Sequence, residues 1–184
     1  WYLGASQLVY EGRLLYRDFA FTQGPLLPYA YGAWMRIAGP SLYAHRALTA
    51  ALFLVAAWLS GRVARRLGGP HAAAFCLLAL ATSLYAAAHF AYVATYALAG
   101  CLLMAAVDLA TSPQRPRALL ATFCLCLTIG TRLSVAPVLL PFALYLIVAR
   151  RIRPTTMLAA AAVALATLGL LYGPFWLASG EVML

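Results

Sequence analysis

The sequence predicts an all-α, polytopic integral membrane protein, a helical bundle with about six transmembrane helices and two outer-face interfacial amphipathic helices. Three observations predict this fold class. Hydrophobic residues make up 65% of the chain and charged residues 9%, whereas a soluble domain averages about 25% charged residues. Several apolar blocks are about 20 residues long, the length of a helix that crosses a bilayer. Short arginine-rich segments separate several of these blocks.

Two short helices are predicted at the start of the chain, in a polar and aromatic segment. Residues 1–11 form the first, which ends at Gly12. Residues 25–38 form the second, because Pro25 suits a first helical turn and Gly39 stops the helix. The tyrosines and tryptophan of the second helix are typical of a helix that lies in the headgroup layer.

The first two membrane spans are predicted on either side of a basic loop. Residues 42–60 form the first span, and the loop of residues 61–69 follows with three arginines and a terminal pair of glycines. Residues 71–88 form the second span, which ends at a polar break around His89.

The third and last spans are predicted from the same apolar pattern. Residues 93–110 form the third span, and the loop of residues 111–117 follows it. Asp108 lies near the inner end of this span, where we expect a solvated helix cap beside that loop. Residues 155–178 form the last span.

Residues 118–149 are too long for one crossing and too short for two full ones. Charge favours a hairpin of two short helices with Arg132 near its outer tip. The positive-inside rule puts arginine-rich short loops in the cytoplasm, and a hairpin places eight arginines there. These are Arg62, Arg65, Arg66, Arg115, Arg117, Arg150, Arg151 and Arg153.

The predicted organisation has two parts. Residues 1–40 form an outer-face segment, and residues 41–184 form a single transmembrane bundle. Because the chain opens on Trp1 and not on Met, we expect a fragment of a longer protein, truncated at both ends. The predicted location is the bacterial inner membrane, with the first segment on the outer side.

The charge and cysteine patterns exclude other classes. The net charge of +9 comes from 13 arginines, which orient helices and meet anionic lipid headgroups, so we predict no nucleic-acid partner. The four cysteines lie inside apolar runs without the spacing of a zinc or redox site. The cysteines are therefore not predicted as metal ligands.

Arg17 and Asp18 form the sharpest local feature. Asp18 is either a base or metal-binding carboxylate between the two interfacial helices, or a solvated residue paired with Arg17. Arg132 carries a charge that costs at least about 2.5 to 3.5 kcal/mol at membrane depth. It therefore binds an anion or partner, or extends its side chain to water. Arg46 has the same two interpretations, a binding residue or an interface anchor.

A series of motifs follows one order along essentially the whole chain. They are Tyr10-Glu11-Gly12, Leu15-Tyr16-Arg17-Asp18-Phe19, Gly24-Pro25-Leu26, Tyr29 to Trp34, Gly39, Arg46, Gly130-Thr131-Arg132 and Gly173-Pro174-Phe175-Trp176. Together they resemble the GT-C superfold glycosyltransferases, in particular the branch with protein O-mannosyltransferases and lipid A aminoarabinose transferases.

The resemblance implies transfer of a sugar from a polyprenyl-phosphate carrier to a lipid, glycan or protein acceptor on the outer face of the membrane. It implies Asp18 as the catalytic carboxylate within this chain. The substrate-binding residues that it implies are Arg17, Arg46, Arg132, Tyr16 and His89. No cofactor is predicted with certainty, and a requirement for a divalent cation is left open.

This chain departs from the family pattern in two respects, and two other functions compete. Some family members carry an Asp at the break before the third span, where this chain has Tyr92-Val93-Ala94-Thr95. The family's Asp-Glu pair would fall upstream of Trp1, so we expect the main catalytic acid there. A transporter of the major facilitator type is one alternative, since residues 60–69 loosely resemble its basic loop but lack its acid. A non-catalytic membrane scaffold is the other.

Overall fold

The structure is a computed structural model that describes residues 1–84, 93–112 and 117–179. Within these ranges all regular elements are helical and no strand occurs, which confirms the predicted all-α class. The helices are α1 (Tyr2–Tyr10), α2 (Leu26–Ala38), α3 (Leu42–Thr82), α4 (Thr95–Thr111), α5 (Ala118–Thr131), α6 (Leu139–Leu144) and α7 (Pro154–Ser179). A 3₁₀ segment, Leu133–Val138, precedes α6 and a π-helical turn, Tyr145–Ala149, follows it.

Helices α1 and α2 form where the sequence predicts them. Glycine ends both, since Gly12 has φ 88° and Gly39 has φ 79°, a conformation that other residues rarely adopt. The two helices pack closely because Gly32 has no side chain. A Cβ atom there would lie 3.1 Å from the Ser6 carbonyl oxygen.

The predicted basic loop of residues 61–69 is wrong, because α3 stays helical through its arginines. Arginine is a good helix former, and the chain reverses only at Gly69, with φ 80° and ψ −171°. A Cβ atom on Gly61 would touch the Leu77 side chain at 3.3 Å. Residues that far apart on a straight helix are separated by about 24 Å. Helix α3 therefore consists of two antiparallel arms.

Two helices among the described residues are long and apolar enough to cross a membrane, Leu42–Thr82 and Pro154–Leu177. Only 28% and 11% of their most apolar windows are buried. Long apolar helices in the core of a soluble protein are mostly buried, whereas these expose leucines such as Leu165 and Leu170. This exposed apolar surface indicates membrane association, and the count of six crossings stays a prediction.

The hairpin predicted for residues 118–149 is confirmed by packing. Leu146, on the returning arm, is buried against Ala118 and Ala121 at the start of α5. The returning arm is less regular than predicted, because Pro137 and Pro141 cannot donate helical hydrogen bonds.

The bundle has two chemically different ends. At the first, which we call the basic end, Arg66 pairs with Asp108, and Arg150 donates a hydrogen bond to the Ser112 carbonyl. At the other, residues 1–40 pack against the hairpin tip around Gly130. We call residues 1–40 the platform. The platform and the arginine clusters therefore lie at opposite ends of the bundle, and the orientation of these ends across a membrane stays a prediction.

Candidate functional site

A tight turn of the platform holds the Arg17–Asp18 pair. The Asp18 backbone N–H donates to the Leu14 carbonyl at 2.9 Å, and the Leu14 N–H donates to Asp18 Oδ2 at 2.8 Å. The Tyr16 N–H donates to the Phe19 carbonyl at 3.0 Å. The turn therefore presents Arg17 and Asp18 in a fixed orientation between α1 and α2.

Arg17 and Asp18 form an exposed, two-point ion pair. Arg17 Nε lies 2.8 Å from Oδ1 of Asp18 and Nη2 lies 3.2 Å from Oδ2. The hydrogen bond from Arg17, followed by that from the Leu14 backbone, lowers the pKa of the Asp18 carboxyl below its usual value. The carboxyl is therefore ionised at neutral pH. Pairing with Arg17 is one of the two alternatives that the sequence left open for Asp18. An ion pair of this kind is compatible with a role in contact with substrate.

Tyr16 fixes the turn to the bundle. It has a positive φ of 63°, and its hydroxyl donates to the Gln23 carbonyl. Its ring meets Phe175 of α7 edge-on, with centroids 5.3 Å apart. Burial, and then the neighbouring hydroxyls of Tyr172 and Tyr29, raise the pKa of Tyr16 to about 12. Tyr16 is thus a neutral hydrogen-bond donor that positions its neighbours.

Gly24 lets the platform contact the hairpin tip. A Cβ atom on Gly24 would overlap the Gly130 carbonyl, because the two backbones touch. Beside this junction the Tyr172 hydroxyl donates to the Ile129 carbonyl at 3.1 Å. The junction brings the Arg17–Asp18 turn and the hairpin tip, with Arg132, to the same end of the bundle.

Arg132 is half-buried at the hairpin tip. Its Nε donates to Ser134 Oγ at 2.9 Å, and its guanidinium lies over the Tyr96 ring, 4.4 Å from the centroid. Stacking on an aromatic ring and one hydrogen bond fix the plane of a guanidinium and leave its other N–H groups for an anion.

Arg46 and His89 are the remaining predicted substrate-binding residues. Arg46 is exposed on the first turn of α3, and the described part of the chain offers it no salt bridge within 4.0 Å. Its neighbour His45 is fully buried, with Nδ1 2.6 Å from the Ser41 carbonyl and its ring stacked on Tyr31. His89 lies outside the described residues.

An apolar groove runs between the Asp18 turn and α7. Its volume is about 370 Å³. The lining residues are Leu14, Leu15, Pro25, Leu26, Tyr29, Leu170, Leu171, Pro174 and Phe175. No group of three or more potential metal ligands occurs among residues 1–84, 93–112 and 117–179. The arrangement can therefore bind a hydrophobic chain next to charged groups of both signs.

Sequence reasoning missed a second charged cluster, at the basic end. Asp108 is 7% exposed and not a solvated cap, and its Oδ1 lies 3.0 Å from Arg66 Nη1 and 3.4 Å from Arg62 Nε. The signal was available, because Arg62 and Arg66 are four residues apart and share one face of a helix. This shared face was not recognised because residues 61–69 were predicted to form a loop.

Comparison with known proteins adds no relative to these observations. No family model, no curated protein and no solved structure matches the chain.

Proposed function

We propose that this chain is the membrane portion of a glycosyltransferase that takes its sugar from a polyprenyl-phosphate carrier. The enzyme acts at the platform end of the bundle, which faces the outside of a bacterial inner membrane. A lipid, glycan or protein hydroxyl is the acceptor. The observation that carries the proposal is the exposed Arg17–Asp18 pair, fixed beside an apolar groove at the same end as Arg132.

The chemistry of the donor requires positive charge beside a hydrophobic groove. When the sugar leaves, negative charge develops on the carrier phosphate, and guanidinium groups stabilise it through paired N–H bonds. The bonds to Asp18 use two of the five N–H donors of Arg17. Arg17 therefore retains donors for phosphate oxygens, and Arg132 and the exposed Arg46 supply further positive charge. The groove suits the first isoprene units.

Asp18 is the proposed proton acceptor within this chain. Its lowered pKa makes it a weak base for an alcohol. It takes the proton late, once the acceptor oxygen has begun to bond to the anomeric carbon and the hydroxyl has become acidic.

A kinetic experiment tests the proposal. The full-length protein is assayed for transfer of sugar from labelled polyprenyl-phosphate sugar. Asp18→Asn is expected to lower kcat by about 100-fold, the scale of a lost general base. Arg132→Ala is expected to raise KM for the donor. Glu11→Gln and Arg36→Gln, which alter an exposed acid and an exposed base of the platform, serve as matched controls and keep wild-type rates.

Two results would overturn the proposal. Unchanged kinetics in both Asp18→Asn and Arg132→Ala would remove these residues from the mechanism. A full-length protein without transfer activity that moves a small solute across sealed vesicles would favour the transporter alternative. That alternative rests on the loose sequence likeness of residues 60–69 to a basic loop, and residues 61–68 are helical.

A further inference from the structure

Three arginines and a tryptophan of α3 line a pocket at the basic end of the bundle. The pocket has a volume of about 420 Å³, and Trp58, Arg62, Arg65 and Arg66 line it. It lies at the opposite end of the bundle from the platform and takes no part in the proposed transfer reaction.

One carboxylate organises this pocket without neutralising it. Asp108 Oδ1 lies within 3.4 Å of Arg62 and 3.0 Å of Arg66. Arg66 is held further by the Asp108 carbonyl, at 2.9 Å. Three positive charges from Arg62, Arg65 and Arg66 against one negative charge leave a net charge of +2 on these four residues. The arginine side chains are therefore pre-oriented, and the excess positive charge favours binding of an anion.

An apolar stripe leads directly into the pocket. Leu54, Trp58, Arg62 and Arg65 follow one another at helical spacing, so they share one face of the first arm of α3. Leu54 is 67% exposed and Trp58 is 57% exposed. The Arg62 guanidinium lies over the Trp58 ring, 4.7 Å from its centroid. The face passes from hydrocarbon to guanidinium over about 16 Å.

We propose that this face binds one anionic phospholipid. Its phosphate contacts Arg65 and the outward nitrogens of Arg62, while an acyl chain lies along Trp58 and Leu54. Guanidinium forks match phosphate oxygens, and tryptophan is enriched at the level of the headgroups. The apolar stripe selects a lipid, because a free phosphate ion gains nothing from it. The inference is independent of the proposed glycosyl transfer.

The experiment compares lipids and variants on the full-length protein in detergent micelles. Phosphatidylglycerol, phosphatidylcholine or inorganic phosphate is added, and bound lipid is counted by native mass spectrometry alongside the thermal unfolding midpoint. The variants are Arg65→Gln and Arg62→Gln. Arg153→Gln is the matched control, since it removes an equal charge from an exposed residue near the same end but outside the pocket.

Wild-type protein and Arg153→Gln are expected to retain phosphatidylglycerol in preference to phosphatidylcholine. Arg65→Gln and Arg62→Gln each bind phosphatidylglycerol about fivefold more weakly, which corresponds to about 1 kcal/mol for one basic residue near an anionic surface. Equal losses in Arg65→Gln and Arg153→Gln would overturn the site, since charge alone would then act. Stabilisation by inorganic phosphate equal to that by lipid would overturn the choice of occupant.

Discussion

At the scale of single residues, the platform turn shows how neighbouring groups set the charge state of a carboxyl. Asp18 is exposed, yet three hydrogen bonds hold it, two from Arg17 and one from the Leu14 backbone. Such an exposed pair adds little to the free energy of unfolding, because water screens it. Its effect is on orientation and on pKa, and both bear on the proposed role of Asp18.

The titration of Asp18 is the first prediction. Its midpoint is expected below 3.8, the ordinary value for the group. A lowered folded-state pKa means that the stabilising contribution is present above the unfolded-state pKa, about 3.9, and is lost as pH falls through the folded-state pKa. Carboxyl ¹³C NMR measures this simply, since Asp18 and Asp108 are the only aspartates in the chain.

Two arginine variants separate the causes of the shift. Arg17→Gln removes the largest cause and is expected to return the Asp18 midpoint most of the way to its ordinary value. Arg13→Gln removes the weakest of the causes that lower the pKa and is expected to change it little. A wild-type midpoint at or above the ordinary value would contradict the observed ion pair.

The Gly24–Gly130 junction gives the second prediction. Gly24→Ala places a methyl group on the Gly130 carbonyl, which is backbone and cannot move aside. We expect a loss of about 1–3 kcal/mol in the free energy of unfolding, the range for overpacked sites. Thermal or denaturant unfolding in detergent measures it.

Gly4→Ala is the control for Gly24→Ala. Gly4 lies in α1, and nothing would lie within 4 Å of its added Cβ atom. Alanine there is expected to stabilise the helix by about 0.5–1 kcal/mol. If both variants had the same stability, the close contact between platform and hairpin tip would be wrong.

At the scale of elements, glycines decide where the chain turns. Helix α3 continues through its arginines because arginine favours helix, and it reverses at Gly69, where φ and ψ suit only glycine. Pro70 then opens the second arm, because proline is tolerated in a first helical turn. The basic residues that the sequence analysis placed in a loop consequently form one ordered face.

Gly69→Ala is therefore expected to destabilise the fold by about 1–3 kcal/mol, through strain at a glycine-only conformation. Unfolding in detergent, followed by circular dichroism, measures the change. Gly169→Ala is the matched control, since Gly169 is an exposed glycine inside α7 with open space around it. A stable Gly69→Ala variant would mean that α3 does not reverse at this position.

At the scale of the whole molecule, the bundle has two ends with different chemistry, and these ends predict its orientation in a membrane. Arginines of α3 and of the segment after α6 collect at the basic end. Arg62 and Arg66 pair with Asp108 there, and Arg150 donates a hydrogen bond to the Ser112 carbonyl. Aromatic side chains and the Arg17–Asp18 turn collect at the platform end. Arginine-rich short segments stay on the cytoplasmic side, so the platform is expected outside.

Cysteine labelling tests this orientation. In a background with the four native cysteines replaced by alanine, Asp18→Cys is expected to react with an impermeant maleimide in intact, right-side-out vesicles. Arg153→Cys is expected to react only after the vesicles are permeabilised. The cysteine-free parent controls for background labelling.

The possible labelling outcomes separate the two parts of the prediction. Labelling of both sites from one side would contradict a bundle that crosses the membrane between its ends. Labelling of Asp18→Cys only after permeabilisation would reverse the orientation, and the proposed reaction on the outer face would fall with it.

The sequence by itself determined the helical class, the limits of α1 and α2 and the hairpin around Arg132. Those features follow from local causes, namely apolar periodicity, glycine and proline at helix ends, and the sidedness of arginine. Only the tertiary structure decided that Asp108 pairs with Arg62 and Arg66 and that Gly24 touches Gly130. Such contacts join residues more than forty positions apart, and which helix faces meet depends on how every helix packs, which no local pattern records.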